Sequence, residues 1–200
     1  MFLSKVAIDW RWAKDPYQLH RALWQLFPDR PTAQRDFLFR VEEGGNSQQG
    51  IPVLLQSVSS PQQSQAAIVL ASKSINYALP PGALLNFRLR ANPVKTIKDS
   101  QGRTNRHGQI KSCRVPLVTE EECLAWLARK LASAACLRSA RIIREPALRF
   151  DKKGVGGKIQ PLCFEGELVV EQPANLHDLI SQGIGPGKSM GCGLLSLARA

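Results

Sequence analysis

Two groups of residues in this 200-residue chain could do chemistry. The first lies near the C-terminus, where Gln182–Leu197 reads Q-G-I-G-P-G-K-S-M-G-C-G-L-L-S-L. Glycine permits positive φ and lets another backbone approach closely, so such a loop offers bare N–H groups to an anion. Lys188 sits at its centre, and Gly185, Gly187, Lys188 and Ser189 are the candidate phosphate contacts. The second group lies on an amphipathic segment, Tyr17–Phe27, where Leu19, Leu23, Leu26 and Phe27 form an apolar stripe. Tyr17, His20, Arg21 and Trp24 fall on the flank beside it, and the i, i+3 spacing points Tyr17 and His20 the same way. An imidazole beside a phenol and a guanidinium can move protons near neutral pH. The plainer reading is a helix-boundary histidine bonded to a neighbour.

The glycine loop invites comparison with a nucleotide-binding P-loop, G-x-x-x-x-G-K-[ST]. Gly187-Lys188-Ser189 fits its second half, but position 182, where the first glycine belongs, is Gln182. A P-loop also follows a strand and opens a helix. Here Asn175–Gln182 reads as a short helix before the loop and Gly193–Leu197 as a strand after it. A nucleotide cofactor is therefore not expected, and a polyanion backbone is.

The charge distribution points the same way. The chain carries 27 Lys and Arg against 16 Asp and Glu, a formal net charge of +11. Residues 1–82 hold 8 bases and 6 acids, whereas residues 83–200 hold 19 and 10. One-sided positive charge of this kind is the footprint of a nucleic-acid binder. It is densest over residues 84–115, where Arg88, Arg90, Lys95, Lys98, Arg103, Arg106, Lys111 and Arg114 face one acid, Asp99. No basic amphipathic helix accompanies it, so a membrane surface is not the expected partner. Five cysteines, Cys113, Cys123, Cys136, Cys163 and Cys192, are odd in number and lack metal-ligand spacing. They read as reduced core residues of a cytoplasmic protein with no structural metal. The N-terminus, interrupted by Lys5, Asp9 and Arg11, does not read as a signal peptide.

The elements that must position these residues follow from periodicity. Leu85, Phe87, Leu89 and Ala91 alternate with Asn86, Arg88, Arg90 and Asn92, which describes a strand with one apolar and one polar face. Thr119 and Glu122 make a capping box for a helix carrying Leu124, Leu127 and Leu131 and ending near Leu137. Arg141–Phe150 and Lys158–Val170 read as two strands joined by D-K-K-G-V-G-G; the Asn175 helix, the glycine loop and the last strand complete β-α-β-β-α-β. The first half is a fainter copy, with strands at Leu3–Ile8, Phe37–Glu42 and Val53–Val58. After Pro61 a weak helical stretch leads to another strand before Pro80, and Gly44–Gly50 is a polar loop. The expected fold is α+β, two tandem ferredoxin-like (βαββαβ, RRM-like) domains: residues 1–82 with the histidine helix, and 83–200 with the basic surface and glycine loop.

With these parts in place the chain resembles the CasE family of CRISPR-associated endoribonucleases. The resemblance is carried by M-F-L-S-K-V at the start, Y-Q-L-H at Tyr17–His20, D-F-L-F-R-V-E at Asp36–Glu42 and F-R-L-R-A-N-P-V-K-T at Phe87–Thr96. C-R-V-P-L at Cys113–Leu117, G-K-I-Q at Gly157–Gln160, C-F-E-G at Cys163–Gly166 and the glycine loop extend it. The resemblance implies metal-independent cleavage of precursor CRISPR RNA at the base of a repeat stem-loop. The 2′-OH attacks the adjacent phosphate, leaving a 2′,3′-cyclic phosphate and a 5′-OH, and the enzyme stays on its product hairpin beside other Cascade subunits. It implies His20 as the principal catalytic residue, assigned as general acid, with Tyr17 positioning or activating the 2′-OH. Lys188 or Arg21 stabilises the developing charge.

RNA contacts follow from charge and from the resemblance together. Duplex RNA hides its base edges, so a stem is read through shape and phosphate. Arg88, Arg90, Asn92, Lys95, Lys98, Lys111 and Arg114 are expected along the stem, with Lys152, Lys153 and Lys158 on a basic hairpin probing its groove and Arg141 and Arg144 nearby. His107, in a polar turn, is expected to contact phosphate or solvent, and His177, on the last helix beside Asp178, to be a surface residue. The alternative function is a non-catalytic stem-loop-binding subunit of a ribonucleoprotein, which would bind RNA and never cut it.

Overall fold

The computed structural model describes residues 1–12, 15–28, 35–43, 49–152 and 155–200. The first sheet is built from β1 (Phe2–Ile8), β2 (Phe37–Val41), β3 (Ile51–Ser57) and β4 (Ala67–Ser74), antiparallel in the order β2-β3-β1-β4. One helix, α1 (Pro16–Trp24), covers it through Leu19, Ala22 and Leu23, which meet Phe37, Phe39 and Leu55 in a closed core. The second sheet has β5 (Leu84–Ala91), β8 (Ala135–Arg144), β11 (Leu162–Val170) and β12 (Leu195–Arg199) in the order β12-β5-β11-β8. Helices α2 (Glu120–Leu131) and α3 (Pro173–Gln182) lie on it over Trp126, Leu127, Phe164, Leu168, Leu176 and Ile180. Both sheets have the strand order of the ferredoxin-like fold, as the periodicity predicts.

Three local expectations are corrected and one element is added. The stretch after Pro61 is not helical. Ser64 Oγ and Gln63 Oε1 accept from the amides of Ala67 and Val69, and such side-chain bonds compete with a helix ladder. The helix capped by Thr119 ends at Leu131 rather than Leu137, because the chain turns at Ala132–Ser133 and runs out along β8. The two strands read between Arg141 and Val170 are four: β8 pairs with β11, while β9 (Leu148–Lys152) and β10 (Val155–Ile159) form a separate hairpin. A further hairpin, β6 (Val94–Lys98) with β7 (Ser112–Pro116), is inserted between β5 and α2. Its K-T-I-K and S-C-R-V-P sequences lack a clean apolar alternation, since both faces are largely exposed.

The two sheets are tied together by polar groups. Arg40, 4% exposed, gives its Nη1 to the Arg88 carbonyl at 3.3 Å and to Ser196 Oγ at 3.0 Å, and its Nε to Glu42 at 2.7 Å. Gln56 Nε2 reaches the carbonyl of Ile180 at 2.7 Å. A buried arginine with all these partners fixes the approach of the halves more sharply than apolar contact does. Among the described residues no helix is long and apolar enough to cross a membrane.

Candidate functional site

The site starts from the cap of α1. Asp15 Oδ1 accepts from the amides of Tyr17 at 2.7 Å and Gln18 at 3.1 Å, and Pro16 opens the first turn. These features fix where the helix begins, and hence where Tyr17 and His20 point. Tyr17 meets Phe150 edge to face at 5.5 Å, which sets α1 against the β9–β10 hairpin. Gly157 lies opposite Phe150 in that hairpin, and a Cβ there would meet the ring at 2.3 Å. The ring occupies the space the glycine leaves. A cleft of about 650 Å3 opens between the start of α1 and the hairpin, bordered by Asp15, Arg149, Phe150 and Lys158.

His20 sits in an aromatic setting. Its ring is 5.6 Å from Phe37, 6.3 Å from Phe39 and 6.2 Å from Trp24. Its Nε2 is buried and has no hydrogen-bond partner. Burial first, and the Arg35 guanidinium second, push its pKa down to about 4. Both effects disfavour the imidazolium, so the free protein holds His20 neutral at pH 7. Arg35 has a buried Nε that also lacks a partner, and burial lowers its pKa. Sequence reading missed Arg35. The signal was there: it precedes Phe37 and Phe39 by two and four residues, so the period of two puts it on their side of the strand line.

The glycine loop comes to this helix from the other half. Residues Lys188–Met190 form a 3-10 turn that packs on α1. Gly191 has φ 78°, and a Cβ there would lie 3.1 Å from both the Arg90 Nη1 and the Phe39 ring. Phe39 thus touches the loop on one side and faces His20 on the other. The loop spends the amides of Ile184, Met190, Gly191 and Cys192 on its own closure, and those of Gly183 and Gly193 on the carbonyls of Leu179 in α3 and Arg90 in β5. Among the described residues the amides of Gly185, Gly187, Lys188 and Ser189 make no such bond. Lys188 donates from Nζ to the Gln182 carbonyl at 2.6 Å. Burial, then the charges of Arg35 and Lys130, lower its pKa. The Arg35 charge therefore acts on both His20 and Lys188, while Arg21 stands exposed on α1.

The expected RNA contacts divide into two sets. Arg90 is 7% exposed, ion-paired with Glu145 at 2.6 Å and bonded to the Met190 carbonyl, so it braces the glycine loop instead of presenting charge on an open face. Asn92 is 6% exposed beneath Gly187. Arg88 pairs with Glu42 and Glu165, Arg141 with Glu165, and Lys95 with Glu122. Among the described residues Lys98, Lys111, Arg114 and Lys158 are exposed and without an ion pair, and Arg144 is exposed with one bond to the Val118 carbonyl. Lys152 is placed through its backbone on β9, and Lys153 and residues 44–48 lie outside the described residues. His107 is exposed against Arg106, and His177 is half-buried on α3. Among the described residues no three His, Cys, Asp or Glu side chains gather as metal ligands.

Fold and site together define a protein of two ferredoxin-like halves whose junction carries an unpartnered imidazole, a glycine nest and unpaired cations. A profile described as CRISPR associated protein matches residues 1–199, and the chain belongs to this CRISPR-associated family. It is 52% identical over 198 residues, 99% of each chain, to the CRISPR system Cascade subunit CasE of Escherichia coli K12. It is 33% identical over 202 residues, 92% of this chain and 90% of the other, to the CRISPR-associated endoribonuclease Cse3 of Thermus thermophilus. The crystal structure of the CRISPR-associated protein Cas6e from Escherichia coli K-12 matches with a TM-score of 0.86 at 50% identity, over 100% of both chains.

Proposed function

We propose that this chain is a metal-independent endoribonuclease that cuts CRISPR repeat RNA at the base of a stem-loop and stays on the hairpin as a Cascade subunit. The observation that carries the proposal is the buried, unpartnered Nε2 of His20 on a helix that meets the glycine loop. Buried polar atoms almost always have partners, so one left open at a cationic junction is poised for a group that arrives with substrate. The names borne by the relatives, a Cascade subunit and an endoribonuclease, agree with it.

In the proposed reaction the 2′-oxygen loses its proton and attacks the adjacent phosphorus, and the bond to the 5′ oxygen breaks. The products are a 2′,3′-cyclic phosphate and, after proton transfer from the His20 imidazolium, a 5′-OH. The phosphate supplies what the free protein lacks: an anion beside Arg35 and an acceptor for Nε2, both of which raise the pKa of His20. Tyr17, one turn earlier on α1, positions the 2′-OH. The amides of Gly187–Ser189, with Lys188 and Arg35, favour the charge building on the phosphorane oxygens. Arg21 contacts the flanking backbone. The test is cleavage of a labelled repeat stem-loop in excess EDTA. Cutting that yields a cyclic phosphate supports the reading; binding without cutting makes the chain a binding subunit, and a magnesium requirement overturns the mechanism.

A further inference from the structure

Only Glu145, Pro146 and Ala147 join β8 to β9, and only Gln160 and Pro161 join β10 to β11. The two connections meet at the base of the β9–β10 hairpin, where Gln160 Nε2 donates to the Glu145 carbonyl at 2.7 Å. The Glu145 side chain serves a different partner. Its Oε2 accepts from Arg90 Nε at 2.7 Å and lies 2.6 Å from Nη2 of the same guanidinium. Arg90 in turn holds the glycine loop at two points. Its Nη1 donates to the Met190 carbonyl at 3.4 Å, and its own carbonyl accepts from the Gly193 amide at 2.7 Å. Gly191, between those points, lies so close to Arg90 and to the Phe39 ring that a Cβ would be tight against both.

Resting on the RNA-processing reading, we infer that Glu145 is a positioning residue for cleavage: it fixes Arg90, Arg90 fixes the Lys188–Met190 turn, and the turn offers its amides and Lys188 to the scissile phosphate. A guanidinium held along its Nε–Nη2 edge by a carboxylate has a set plane, which leaves Nη1 one direction in which to point. Without that carboxylate Arg90 keeps its charge but loses the partner that sets its plane, and the Met190 carbonyl loses a firm donor. The free amides of Gly185, Gly187, Lys188 and Ser189 are of use only if they are already aimed where charge builds on the phosphorane. Misplacing such groups by about 1 Å costs up to about a hundredfold in rate. Neither Glu145 nor Arg90 borders the cleft at the start of α1. A carboxylate also repels a phosphate backbone, so Glu145 has its effect through the loop and not by contact with RNA. The Gln160 bond brings the hairpin into the same support. The hairpin that seats Phe150 against Tyr17 and the loop that carries Lys188 thus share one anchor.

The test uses the full chain in EDTA. Single-turnover cleavage of a repeat stem-loop is measured at saturating protein, and binding by fluorescence anisotropy with the same RNA blocked by 2′-deoxy substitution at the cut. Glu145→Gln keeps the size and one accepting oxygen but not the charge that clamps the guanidinium. It should cut about ten- to a hundredfold more slowly and bind the blocked RNA as wild type does. Arg90→Lys should lose a similar amount, since one ammonium cannot copy the fork that serves Glu145 and Met190 together. General loosening would multiply with the loss from Lys188→Ala, whereas a loss acting through the turn should not. The double variant Glu145→Gln/Lys188→Ala should therefore be faster than the product of the two single losses. A Glu145→Gln rate within about twofold of wild type, a loss seen wholly in affinity, or losses that multiply would overturn the inference and leave the nuclease standing. Wild type that binds and fails to cut overturns both. Should Glu145→Gln not fold, Arg90→Lys combined with Lys188→Ala decides alone.

Discussion

His20 should titrate near pH 4 in the free protein and near neutrality once RNA is bound. At about 4 the imidazole is charged in roughly one molecule in a thousand at pH 7. To act as an acid there it must be raised to about 7, a preference for the imidazolium of about 4 kcal/mol. A phosphate charge about 4 Å away at an effective dielectric near 20 supplies about that much. The assay is NMR of the protein with ring-labelled histidine, titrated free and with a stem-loop carrying a 2′-deoxy block at the cut. Three histidines are present, and His20→Gln identifies the signal. Arg35→Gln should raise the free value, but by less than RNA does, because burial is the larger cause. A free value at or above 6, or a value near 4 that RNA leaves unmoved, would refute the reasoning.

Three further outcomes follow from the geometry. Because the folded-state pKa of His20 lies below the ordinary 6.5, the unfolded chain takes up the proton first as pH falls. Stability is therefore lost between about pH 6.5 and 4, by roughly 2 kcal/mol after allowance for partial exposure. His20→Gln should flatten that limb of the urea-unfolding profile, and parallel limbs would contradict the assignment. Glu145→Ala leaves the Arg90 guanidinium buried and unpaired and should cost about 3 kcal/mol in urea unfolding; a loss under about 1 kcal/mol would show that the pair does not brace the loop. Gly157→Ala forces the Phe150 ring aside at a cost of about 1–3 kcal/mol. Through the Tyr17 contact it should slow single-turnover cleavage while RNA affinity holds; an unchanged rate would separate the hairpin from the site.

Much of the frame was legible because its signals are local. The alternation of Leu85, Phe87 and Leu89 gives β5, and Thr119 Oγ1 does accept from the Glu122 amide at 3.2 Å where α2 begins. The flank position of His20 beside Leu19 and Leu23 also follows from spacing alone. What stayed hidden depends on partners distant in sequence. Arg90 reads as a polar-face cation until Glu145, 55 residues on, and the Met190 carbonyl close over it. Leu131 and Leu137 continue one apolar count, and only the fold shows that one belongs to a helix and the other to a strand. The weight of Arg35 is likewise tertiary, since it comes from α1 and the glycine loop meeting beside it.

The most direct test of the account is single-turnover cleavage by wild type and His20→Ala in EDTA, on two RNAs. One is the native repeat stem-loop; the other has sulfur in place of the 5′ leaving oxygen, so departure needs no proton. The account predicts that His20→Ala binds both, loses cleavage of the native RNA by two orders of magnitude or more, and cuts the thio-RNA near the wild-type rate. Equal collapse on both RNAs would take the acid role from His20, and undiminished cutting of the native RNA would take it out of the reaction.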